Sequence, residues 1–178
     1  MQNPTPNVEA LRMLADHMDG LPSLGAAEYE DAPAVYMCAW IDNDHMRDDC
    51  GTVGCIAGHA VALVDGHEAA VRLARDGGCS DIPTRARAIL GLVDPEAEAG
   101  GDATHRLARV AHALMYPPGQ RSEEPRIREV IDAINGADCA RLLRRVVDNA
   151  DTVTAVDVRL MWEDVKDIRR AELYGGGR

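Results

Sequence analysis

Phenylalanine is missing from this 178-residue chain, and two Trp and four Tyr make up its whole aromatic complement. A platform for stacking nucleobases needs aromatic faces that such a chain does not have. Ala, Val, Leu and Ile must fill the core instead, which favours closely packed helices. No 18-residue apolar stretch is free of charge, so a membrane span is not expected. The opening segment, MQNPTPNVEALRM, has neither the basic start nor the apolar run of a signal peptide. The cysteines number five, at 38, 50, 55, 79 and 139, and an odd count argues against a disulfide framework. The expectation is one domain with reduced thiols in a cytoplasmic setting.

Charge is plentiful but unevenly placed. The formal net charge is −11, and residues 1–100 hold 17 Asp and Glu against 6 Lys and Arg, whereas residues 101–178 hold 13 of each. All the excess therefore lies in the first half. A negative field repels phosphate backbones, so direct nucleic-acid binding is not expected. It would attract cations, a basic protein, or a protein that normally holds DNA, and it also keeps a surface soluble.

Hydrophobic periodicity is helical almost throughout. Over 6–19, Leu11, Leu14 and Met18 fall at helical spacing, with Pro6 as a first-turn residue and Gly20 near the stop. GLPSLGAAEYEDAP (20–33) reads as a loop, and AVYMCAW (34–40) is the one stretch with strand character. A helix apolar all round, and hence buried, is expected from about Thr52 to Val64, with Gly54 and Gly58 allowing a close backbone approach. A short helix follows over 67–76, closed by Gly77 and Gly78, and another from near Pro83 to Gly91. DPEAEAGGD (94–102) has linker composition without establishing a second domain.

Four further amphipathic patterns follow the linker. Leu107, Val110, Ala111 and Leu114 precede Pro117–Pro118, and Ile127, Val130, Ile131 and Ile134 precede a stop at Gly136. Leu142, Leu143, Val146 and Val147 lie behind a cap at Asp138. The last helix spans Thr154 to Leu173, with Val158, Met161, Val165 and Ile168 on one face, and 174–178 form a flexible tail. The expected fold class is all-α, a single compact domain over 1–173 with seven or eight helices around a buried central helix.

The chemistry-bearing segment is DDCGTVGCIAGHAVALV (48–64), which places Cys50, Cys55 and His59 within ten residues. Three readings compete. In the first, Cys50 at a helix N-terminus is a nucleophile, its thiolate stabilised by unpaired N–H groups. The phrase resembles the start of bacteriocin-processing peptidases, a papain-like group, and that resemblance implies Cys50 as nucleophile, with His59 the histidine at hand. Such enzymes need a Gln shortly before the nucleophile and a base His well downstream. Here no Gln lies between Gln2 and Gln120, His105 and His112 fall inside a helical pattern, and Asp48 and Asp49 oppose a thiolate.

In the second reading Cys50, Cys55, His59 and His45 supply zinc ligands, Cys55 and His59 sharing a helix face one turn apart. The spacing Cys-x4-Cys-x3-His is not a strong knuckle signature, and DNDHMRDD (42–49) fails as a calcium loop, having Arg47 and Val53 where a Gly and a Glu are required. In the third the thiols are small hydrophobic fillers and His59 bonds a loop carbonyl or a carboxylate. Packing is the reading preferred, with no cofactor expected and zinc as the alternative. The basic cluster Arg141, Arg144 and Arg145 is read as a helix face with ion pairs to Asp138, Asp148 and Asp151.

CGTVGCIAGHAVAL, preceded by VYMCAW and followed by ARAILGL and HALMYPPG, resembles a group of short proteins from bacteriophages, prophages and actinobacterial genomes. Their shared core is Cys-Gly-Thr-x-x-Cys-x-Ala-Gly. The likeness covers roughly residues 34–145, and Met115 stands where such proteins often carry Phe. It implies a shared fold and a phage-associated source, with no chemistry attached. The functional expectation is an accessory protein, in the host cytoplasm or on a virion. It would act by binding a protein partner through Asp42, Asp44, Asp48 and Asp49. DNA mimicry by those carboxylates, or an enzyme centred on Cys50, are the other possibilities.

Overall fold

In a computed structural model, residues 5–23, 34–35, 53–76, 81–92, 106–120 and 122–175 are described. They contain eight α-helices: α1 (Val8–Met18), α2 (Ile56–Asp65), α3 (His67–Asp76), α4 (Asp81–Ile89), α5 (Arg106–Met115), α6 (Pro125–Asp132), α7 (Gly136–Asp148) and α8 (Ala155–Tyr174). Two strands of two residues each, β1 (Ala34–Val35) and β2 (Val53–Gly54), pair in parallel, Ala34 opposite Val53 and Val35 opposite Gly54. The fold is all-α, and one hydrophobic cluster takes buried side chains from every helix. No helix among the described residues is long and apolar enough to cross a membrane. The expected linker at 94–102 lies outside the described residues.

Helix α1 is held at both ends by backbone contacts. Asn7, not a first-turn Pro6, caps it: its side-chain oxygen accepts from Ala10 N–H at 3.1 Å. Asn7 N–H also donates to Leu90 O at 2.8 Å, and Gly91 sits so close that a Cβ there would lie 2.6 Å from Asn7 N. At the other end Gly136 N–H donates to Leu21 O at 2.7 Å, and a Cβ on Gly136 would fall 1.8 Å from Met18 O. The glycine read as a helix stop is therefore the first residue of α7. Only a residue without a side chain lets α7 start against the end of α1.

Helix α2 packs on α1, α3, α4 and α5, the central position expected of it. It starts later than its apolar run, because Val53 and Gly54 are drawn into the pairing with β1. Its buried part is confined to Ile56–Val61, and Val64 is 51% exposed. Helix α7 is capped by Asn135, three residues before the cap expected at Asp138, and Asp138 is instead the third helical residue that completes a capping box. Helix α8 opens on a second capping box, Thr154 with Asp157. It runs one residue past the expected end, and Tyr174, assigned to the tail from sequence, donates its hydroxyl to Glu129 at 2.5 Å. Fully buried Trp162 ties α8 to α5 by donating from Nε1 to Ala113 O at 3.0 Å.

Candidate functional site

Cys55 is the N-cap of α2, extended at φ −81° and ψ 179°, with its side chain buried and making no cap hydrogen bond. Its carbonyl accepts the first helical bond, from His59 N–H at 3.0 Å. The helix thus opens at Ile56, later than the start expected near Thr52. Cys50, His45, Asp42, Asp44, Asp48 and Asp49 lie outside the described residues, as do Cys38, Cys79 and His105.

Cys55 and Cys139 are both buried, and neither is in a disulfide. Burial pushes the Cys139 thiol well above its usual range; Asp138 and Cys55 add to this and Arg169 partly opposes it. A thiol so placed is inert as a nucleophile at neutral pH. Among the described residues no three His, Cys, Asp or Glu side chains are grouped to hold a metal ion.

His59 is fully buried, and both ring nitrogens are engaged. Nε2 lies 3.1 Å from Ala34 O, and Nδ1 lies 3.3 Å from Nε2 of His17 on α1. A carbonyl oxygen only accepts, so Nε2 of His59 carries the proton and Nδ1 is bare. Nε2–H of His17 then donates to that bare nitrogen. Burial lowers the pKa of His59 to about 4, with the Ala34 carbonyl pulling it up and His17 pushing it further down. Burial also lowers the pKa of His17, which is otherwise exposed. The carbonyl that His59 bonds is that of Ala34, on β1 rather than in a loop. His17, 42 residues away in sequence, carried no signal in its own helix pattern.

A second cluster, also missed from sequence, joins α7 to α8. Asp138 has no solvent exposure; its Oδ2 accepts from Arg169 Nε at 2.6 Å and from Asn135 N–H at 3.2 Å. Its Oδ1 makes no hydrogen bond, and Arg141 Nη1 stands 3.8 Å off. The arginine cluster on α7 finds most of its partners on other helices. Arg144 bonds Asp16 and Asp19 of α1 at 3.0 and 2.8 Å, and Arg145 bonds Asp164 of α8 at 2.9 Å. Asp148 and Asp151 are not those partners.

Between α7 and α8 runs an open groove of about 390 Å³ with Leu142, Met161, Val165 and Ile168 in its lining. Arg141 and Arg145 edge it on α7, Asp164 and Asp167 on α8. Along α8, Val156, Leu160 and Ile168 are 62%, 59% and 40% exposed. They fall on a single row of spacing four, with Asp164 between the last two. Comparison with known proteins gives no matching family model, no matching curated protein and no matching solved structure.

Proposed function

We propose that the protein is a phage-associated accessory protein that works by binding a protein partner, and that its docking surface is the face shared by α7 and α8. The row Val156, Leu160 and Ile168, left exposed beside the groove, carries this reading. Three large aliphatic side chains on one row are costly to leave in water, each forfeiting about half of the 1.5–3 kcal/mol that full burial supplies. A groove with an apolar floor between two helices, edged by arginines on one side and aspartates on the other, suits an amphipathic helix. The partner helix would set its apolar face on Val156, Leu160 and Ile168. The phage association rests on the sequence resemblance. The acidic residues at 42, 44, 48 and 49 lie outside the described residues and carry no part of this reading.

The test compares the wild-type chain with Leu160→Asp/Ile168→Asp in capture from a bacterial host lysate, alongside sedimentation of each protein alone. A partner retained by the wild type and lost by the variant, whose circular dichroism is unchanged, supports the proposal. Identical capture by both proteins contradicts it. Self-association abolished by the variant would replace the heterologous partner with a second copy.

A further inference from the structure

We draw no further inference here: the strongest candidate, the open depression that Asn149, Thr152 and Asp157 line at the turn from α7 to α8, shares Arg145 and Met161 with the groove between those helices and so belongs to the docking surface already described.

Discussion

Arg169 on α8 sets its Nε 2.6 Å from a carboxylate oxygen of Asp138, a side chain at the first turn of α7 with no solvent exposure. The pair joins the last two helices at a point where neither charge could stand alone. Removing one member of a buried pair leaves the other charge without compensation. Arg169→Ala should therefore destabilise the fold by about 3 kcal/mol in urea denaturation. The double variant with Asp138→Ala should be less unstable than the two single effects added together. Additive losses would show that the two side chains do not act as a pair.

Gly136 makes a sharper demand on backbone geometry. A Cβ there would lie 1.8 Å from Met18 O and 2.8 Å from the Leu21 Cβ, so Gly136→Ala must push α7 away from α1. The expected loss is about 3 kcal/mol, the upper range for overpacking. Gly20→Ala is the control: nothing lies within 4 Å of a Cβ at that position, and φ is +90°. Its cost should be about 1 kcal/mol, from the left-handed backbone alone. Thermal unfolding of the two variants should differ visibly, and equal midpoints would refute the close approach of the two helices.

These two positions mark how far the sequence could be read. Helix number, the apolar faces of α5, α7 and α8, and the start of α8 within a residue of Thr154 all follow from local periodicity. Gly136 was mistaken for a stop because a glycine marks a helix end and a backbone contact equally well. The start of α2 was placed too early because Val53 and Gly54 continue its apolar run, while pairing with Ala34 and Val35 takes them out of the helix. The partners of Arg144 lie 125 and 128 residues away, and His17 lies 42 from His59. Distances of that kind leave no trace in local pattern; packing alone creates them.

Acid should weaken the protein through His59. Its pKa is about 4 when folded and near the ordinary 6.5 when unfolded, so the unfolded chain takes up the proton first. The stability contribution is complete above about pH 6.5 and falls as pH drops toward 4, by about 3 kcal/mol across that interval. The lowered pKa of His17 acts with the same sign. Urea midpoints should decline from pH 7 to pH 4.5. His59→Gln, which keeps an N–H for Ala34 O without a titrating ring, should flatten that decline. A midpoint independent of pH over this range would mean that His59 is not buried as described.

The central claim is that the turn from Cys55 to Val61 is interior packing, which leaves the work of the molecule to its surface. The most direct measurement is the rate at which iodoacetamide modifies each cysteine of the native protein at neutral pH, read by mass spectrometry peptide by peptide. Cys55 and Cys139 should resist modification until denaturant unfolds the chain, then react at the rate of an ordinary thiol. Rapid alkylation of Cys55 in the folded protein would contradict the claim and return the cysteine helix to the candidates for a reactive site.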